Sequence, residues 1–224
     1  MIEVSNVNHR FGERHVLRDI NLSIGERRVG VIGANGSGKS TFVRLLNGLL
    51  IPDEGAVAVD GIDTRQDVKA VRRKVGFVFQ NPDNQIVFPI VEEDIEFGLK
   101  NLKLPKDEIA RRVDSILGRY RLEHLRESAA HLLSGGEKQM LAISSVLVME
   151  PQYVVFDEPM TLLDLRNKKL VLDTIQTIEQ SVILVTHDLD HLHDFERVIV
   201  FDRGEIVADG LPESVIQYYT RAMT

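Results

Sequence analysis

The sequence predicts an α/β fold carrying a helical insertion. Three observations point to it: apolar segments of strand length alternate with helical segments, one strand runs straight into a glycine-rich loop and an amphipathic helix, and strand signals stop between Pro82 and Met149. Ile20, Leu22 and Ile24 alternate as in a half-buried strand, whereas Val29-Gly30-Val31-Ile32 is a continuous run expected to be buried on both faces. A helix follows through Phe42, Leu45, Leu46 and Leu49. Further strands are expected at Ala56 to Val59, Val75 to Phe79, Tyr153 to Phe156, Val182 to Val185, Val198 to Phe201 and Ile206 to Ala208. After Pro105, Ile109, Val113, Ile116, Leu117 and Tyr120 recur at helical spacing, so residues 82–149 read as a helical subdomain within a single domain of 1–224. A last helix is expected from Pro212 to Tyr219, and no repeat, heptad run or low-complexity tract interrupts the chain.

Composition narrows the function classes. A chain of 224 residues with 43% hydrophobic and 27% charged residues can bury one good-sized core and is neither disordered nor fibrous. No stretch reaches the roughly 18 apolar residues of a membrane span, and Met1-Ile2-Glu3-Val4 lacks a basic and apolar signal region, so a cytoplasmic location is expected. A net charge of -7 argues against broad binding to nucleic acid, which needs a basic face. With no cysteine there is neither a disulfide nor a thiolate metal site.

Gly33-Ala34-Asn35-Gly36-Ser37-Gly38-Lys39-Ser40 fits G-x-x-x-x-G-K-[ST], between a buried strand and an amphipathic helix, where a phosphate-cradling loop belongs. The glycines let the backbone turn its N–H groups toward an anion, Lys39 adds positive charge, and Ser40 is placed to ligate Mg²⁺. Thr41 continues the candidate nucleotide site. Tyr153-Val154-Val155-Phe156-Asp157-Glu158 is an apolar strand ending in two acids. Beside a phosphate loop, Asp157 is the acid for the metal side, and Glu158 is placed to orient and deprotonate a water for attack on a γ-phosphate. Leu133-Ser134-Gly135-Gly136-Glu137 precedes a helical run through Met140, Leu141, Ser144 and Val148, a second potential anion site at a helix N-terminus.

At this point the sequence resembles the ABC ATPases, whose signature is L-S-G-G-Q; Glu137 stands at the last position. The resemblance spans essentially the whole chain, with motifs in order: Phe11, the phosphate loop, Gln80, the signature, the acidic strand, Thr161-Leu162-Leu163-Asp164, and His187. It implies a P-loop NTPase core with a mixed sheet, an antiparallel β sub-sheet and the inserted helical subdomain. It also implies ATP and Mg²⁺ as ligands, with Phe11 stacking on adenine, Gln80 sensing Mg²⁺ and γ-phosphate, Asp164 contacting an opposite subunit and His187 holding the γ-phosphate. Ser134, Gly135, Gly136 and Glu137 would serve the ATP of a second, identical ATPase subunit. If Ser134 and the Gly136 N–H stabilise the transferring phosphoryl, each is worth roughly 10²–10³ in rate, and a lone subunit is nearly inactive.

Thr161-Leu162-Leu163-Asp164 departs from the family's usual S-A-L-D. Taken singly, Phe11 also reads as plain core, Gln80 as a strand cap and Asp164 as an N-cap. His187, His191 and His193 invite a zinc reading, which the strand-end position of His187 disfavours. Glu92-Glu93-Asp94 reads as solvated surface.

Gln80-Asn81-Pro82-Asp83-Asn84-Gln85 looks like the ATPases of energy-coupling-factor importers, where Q-N-P-D-x-Q is typical. That resemblance implies a vitamin or metal ion as cargo, with biotin favoured by the short chain, and as partners a transmembrane coupling subunit and a small integral substrate-binding subunit. Asp83, Gln85 and the acids from Glu92 would face a coupling helix of the membrane subunit. The protein would then sit on the inner face of the cell membrane through its partners, without direct nucleic-acid contact. A conventional ABC importer or exporter subunit is the alternative.

Overall fold

The computed structural model describes residues 1–223 of the chain. Its residues fall into two compact units. The first comprises Met1–Gly76, Gln152–Glu158 and the chain from Glu179 onward; the second comprises Phe77–Pro151 and Pro159–Ile178.

The first unit holds two sheets. β1 (Ile2–Phe11), β2 (Arg14–Ile24), β4 (Glu54–Val59) and β5 (Ile62–Asp63) form a sheet in the order β2-β1-β4-β5, antiparallel throughout. The second sheet runs β10 (Glu205–Gly210), β9 (Arg197–Asp202), β3 (Arg28–Gly33), β8 (Ser181–Val185), β7 (Tyr153–Asp157), β6 (Val75–Val78), of which β6 belongs to this unit only through Val75 and Gly76. β9, β3, β8 and β7 are parallel, and β10 returns antiparallel beside β9. The mixed α/β architecture expected from the sequence is therefore present, antiparallel sub-sheet included. Parallel strands buried on both faces must be apolar almost throughout, and Val29, Val31, Ile32, Val154, Val155, Phe156 and Val182 to Val185 are all buried.

β1 is a strand that the sequence pattern did not announce. Ile2, Val4, Val7 and His9 are buried, but the register shifts between Val4 and Val7 and again between Val7 and His9. Asn6 sits at φ 50, a left-handed conformation that Asn tolerates. The irregularity destroys the period of two by which a half-buried strand is recognised. Side-chain amides satisfy the displaced backbone: Asn21 Oδ1 accepts from Asn6 N at 2.8 Å and Asn8 Oδ1 from Asp19 N at 3.1 Å.

α1 (Lys39–Leu46) leaves the loop after β3 and buries Phe42, Val43, Leu45 and Leu46. Its Phe42 ring packs on Phe201 of β9, with centroids 4.9 Å apart. α2 (Val68–Lys74) precedes β6, and α7 (Pro212–Met223) follows β10.

The second unit is helical: α3 (Val91–Asn101), α4 (Lys106–Tyr120), α5 (Gly135–Leu147) and α6 (Leu165–Thr177). Ile109, Val113, Ile116 and Leu117 form the buried face of α4, as their spacing predicts. Asp94 corrects the reading of its acidic run as solvated surface. It is only 6% exposed, and its carboxylate accepts from Val87 N at 2.8 Å, Phe88 N at 3.0 Å and Ser145 Oγ at 2.9 Å. Glu92 in the same run meets Arg126 at 2.5 Å. No helix among the described residues is long and apolar enough to cross a membrane.

Candidate functional site

In the first unit, β3 delivers the glycine-rich loop directly to α1. Gly33 has to be glycine: at φ 143, a Cβ would come within 2.1 Å of the Phe201 carbonyl oxygen. The turn between β9 and β10 ties the loop down through Gly204 N donating to Ser37 O at 2.9 Å. Ala34, Asn35 and Gly36 remain exposed, while Ser37, Gly38 and Lys39 are buried and Ser40 and Thr41 half-buried.

Lys39 is 4% exposed, and its ammonium donates to the carbonyls of Gly33 at 2.8 Å and Ala34 at 2.9 Å. Burial pulls its pKa down, against the opposing pull of the Glu158 and Asp157 carboxylates. The buried Ser37 hydroxyl has no hydrogen-bond partner. A buried cation held by carbonyls and an orphaned hydroxyl in one loop suit an anionic ligand with several oxygen acceptors, such as the phosphate chain of ATP.

Ser40 Oγ donates to Asp157 Oδ1 at 2.8 Å, which brings two oxygen ligands from separate elements together. Asp157 is 3% exposed; burial raises its pKa, while the Ser40 hydroxyl and Arg44 work the other way. Arg44, which the sequence reading did not single out, approaches Asp157 Oδ2 at 3.5 Å. Hard oxygen donors beside a phosphate site fit Mg²⁺, which takes one or two protein oxygens and completes its shell from phosphate and water. Bound there, Mg²⁺ neutralises charge on the phosphate oxygens.

Asp157 and Glu158 are adjacent yet serve different partners. Glu158 adopts a left-handed backbone, φ 53, unusual for a residue with a side chain and costing of order 1–3 kcal/mol. Its N–H donates to Val185 O at 3.1 Å, and its Oε1 lies 2.6 Å from His187 Nε2 just past the end of β8. The Glu158 side chain is 11% exposed and that of His187 44%. His191 turns instead to Asp188, at 3.1 Å, so the nearby histidines do not share a partner. Phe11, at the end of β1, is 52% exposed with its ring edge-on to His9 at 4.9 Å. The plain-core reading of Phe11 is thereby corrected.

The other motif residues lie in the second unit. Gln80 is exposed in the segment after β6. Ser134 caps α5 in a capping box: its hydroxyl accepts from Glu137 N at 3.4 Å, while the Glu137 carboxylate accepts from Ser134 N at 2.8 Å and Ser134 Oγ at 2.6 Å. The Ser134 hydroxyl and N–H hold the Glu137 carboxyl below its usual pKa. Gly135 is exposed with open space around it, whereas a Cβ on Gly136 would fall 2.2 Å from Asn167 Cγ. Asn167 was not anticipated, although its place three residues after an N-cap is legible. Asp164 caps α6, accepting from Asn167 N at 2.8 Å and Nδ2 at 3.0 Å, so the N-cap reading holds for it.

The importer-like segment is also in this unit. Gln85 Oε1 accepts from Phe79 N at 3.1 Å and its Nε2 donates to Ala142 O at 2.7 Å. Gln85 is thus committed to internal hydrogen bonds rather than free to meet a partner, while Asp83 pairs with Lys138 at 2.7 Å and keeps 60% of its side chain exposed. Asp83, Lys138, Ile86, Val87, Phe88, Pro89, Ala130 and His131 line an open groove of about 310 Å³.

A family model for the ABC transporter domain matches residues 17–161. An ABC transporter ATP-binding protein of Deinococcus radiodurans is 62% identical over 224 residues, covering 100% of this chain and 99% of the relative. The biotin transport ATP-binding protein BioM of Rhizobium etli is 47% identical over 218 residues, 97% of each. Among solved structures, cbiO1 of Clostridium perfringens, part of the ABC transporter complex cbiONQ, superposes with a TM-score of 0.84 at 36% identity, covering 97% of this chain and 91% of that one. With the phosphate loop, the acidic strand end and the capped signature helix in place, the chain belongs to the ABC transporter family and is one of its ATPases.

Proposed function

We propose that this ATPase works as one of a pair, on the inner face of the cell membrane, to energise an energy-coupling-factor importer for a vitamin or metal ion, with biotin favoured. The observation that carries the catalytic reading is the pairing of Glu158 with His187 at the ends of neighbouring strands, beside the Lys39, Ser40 and Asp157 cluster. Lys39 and the loop N–H groups bind the β- and γ-phosphates. Glu158 takes a proton from the attacking water as its oxygen bonds to the γ-phosphorus, the bond to the β,γ-bridging oxygen breaks, and ADP leaves. His187 both orients Glu158 and holds the γ-phosphate. Phe11, exposed at its strand end, stacks on adenine. Ser40 and Asp157 would hold Mg²⁺.

The pair follows from chemistry. Ser134, Gly135 and Gly136 form a second anion-binding helix start, with Asp164 nearby in sequence, and a partner's ATP is its ligand. ATP binding closes the pair, and hydrolysis with product release reopens it. The importer class is supported by Asn81-Pro82-Asp83-x-Gln85, in which Gln85 holds the segment in place and presents Asp83 at the groove. Biotin is supported by the 47% identical relative from Rhizobium etli. The conventional importer or exporter remains the second reading, and the same experiment separates the two.

That experiment purifies tagged wild type and Glu158→Gln from membrane extracts, with bound proteins identified by mass spectrometry and ATP turnover measured. A transmembrane coupler together with a small integral binding protein supports the energy-coupling-factor assignment, and the small protein identifies the cargo. Two ordinary permease subunits with a soluble binding protein overturn it. Undiminished turnover in Glu158→Gln removes Glu158 from its role.

A further inference from the structure

The geometry points to Arg14 as an additional nucleotide-binding residue, one that grips the phosphate chain of ATP from the antiparallel sheet. The proposal rests on the phosphate-loop reading above.

Arg14 opens β2 and is the cross-strand partner of Phe11, across the short turn through Gly12. The hairpin therefore carries an aromatic ring and a guanidinium side by side at one end of the sheet. A methyl group built on Gly36 would stand 3.6 Å from Arg14 Nη2, so the guanidinium already lies against the exposed part of the phosphate loop. Gly36, Ala34 and Asn35 are all exposed there, so the guanidinium and the open side of the loop share the same solvent-facing surface.

Arg14 itself is exposed, and among the described residues no carboxylate, carbonyl or ring pairs with it. Other arginines of this chain are committed: Arg197 to Asp209 and Glu26, Arg126 to Glu92 and Asp114, Arg112 to Glu108 and Glu150. A guanidinium has five donors in a planar fork suited to two phosphate oxygens, and it stays charged at any working pH. Arg14 thus adds a cation on the solvent side of the loop, where Lys39 supplies one on the buried side. A purely structural role has no partner to act through.

The test measures ATP affinity by calorimetry for wild type, Arg14→Gln, Arg14→Lys and, as the control for the underlying site, Lys39→Ala. Arg14→Gln is expected to bind ATP about tenfold more weakly at low salt, with an unchanged melting temperature. The gap should close toward about 1 M salt, where the Debye length falls to roughly 3 Å, and Arg14→Lys should retain part of the affinity. Affinity equal to wild type, or a deficit that salt does not alter, overturns the proposal while leaving the phosphate-loop reading standing if Lys39→Ala loses ATP. Full ATP binding by Lys39→Ala overturns the phosphate-loop reading and Arg14 with it.

Discussion

His187 Nε2 stands 2.6 Å from Glu158 Oε1, and the two side chains project from the ends of the neighbouring parallel strands β8 and β7. The contact links a half-exposed imidazole to a mostly buried carboxylate whose backbone is held in a left-handed conformation. In the proposed mechanism the two groups act together. His187→Ala is expected to lower ATP turnover about 10²–10³-fold while leaving ATP affinity within a few fold. The double variant with Glu158→Gln should be little worse than the weaker single variant, since each removes the same working pair. Single-turnover hydrolysis with direct ATP titration checks both statements. Additive losses would show that the two residues act separately.

The adjacent glycines of the signature should respond differently. Gly136→Ala must displace the Asn167 amide, which lies 2.2 Å from the added carbon, and is expected to destabilise the protein by about 1–3 kcal/mol. Gly135→Ala meets open space and should melt within a degree or two of wild type; under the proposed pairing, in which this helix start serves a partner's ATP, it should nevertheless lose ATP turnover. Urea denaturation and steady-state hydrolysis, measured on both variants, separate packing from catalysis.

Asp94 is expected to be a stability residue despite lying in an acidic run. Asp94→Ala leaves the Val87 and Phe88 N–H groups and the Ser145 hydroxyl without their acceptor, a cost of about 2–4 kcal/mol. Asp94→Asn keeps one acceptor oxygen and should recover part of that loss. A shift in the urea midpoint without a change in slope would establish the effect as one of stability.

Stability should depend on pH through Asp60. Its carboxylate accepts from Lys74 Nζ at 2.8 Å, from the Met1 amine at 2.5 Å and from Tyr153 OH at 2.8 Å. The Lys74 bond first, then the amine, hold its pKa well below the ordinary 3.8, against the effect of burial. A depressed folded-state pKa means that the stabilisation is fully present above the ordinary value and is lost as pH falls from there through the depressed one. The melting-temperature gap between wild type and Asp60→Asn should be flat above about pH 5 and narrow below pH 3.8. In the same cluster, burial and the Asp60 charge push the Tyr153 phenol up to about 12, so its ultraviolet titration should be delayed to that region.

Periodicity and motif spacing determined much of this protein in advance. The buried run Val29 to Ile32, the helical face of Ile109 to Leu117, the phosphate loop, the Asp157-Glu158 strand end and the order of the family motifs are local in the chain, and local patterns survive without knowledge of tertiary contacts. The capping box of Ser134 and Glu137 is equally local, S-x-x-E ahead of an apolar run, and the same Glu137 stands at the last position of the family signature.

Tertiary structure decided the rest, because it depends on pairs far apart in the chain. The bulged strand β1 is recognisable only once β2 and β4 supply its partners. Whether an acid is solvated or buried cannot be read from its own letters: Asp94 and Glu93 sit side by side, and only the neighbours of Asp94 from α5 and the preceding loop make it an acceptor for three donors. The same holds for Asn167 filling the space over Gly136, for α6 joining the helical unit, and for Arg14 arriving at Gly36. Side-chain type and local period fix what a segment can become, while burial and partnership arise only when distant segments compete for the same space.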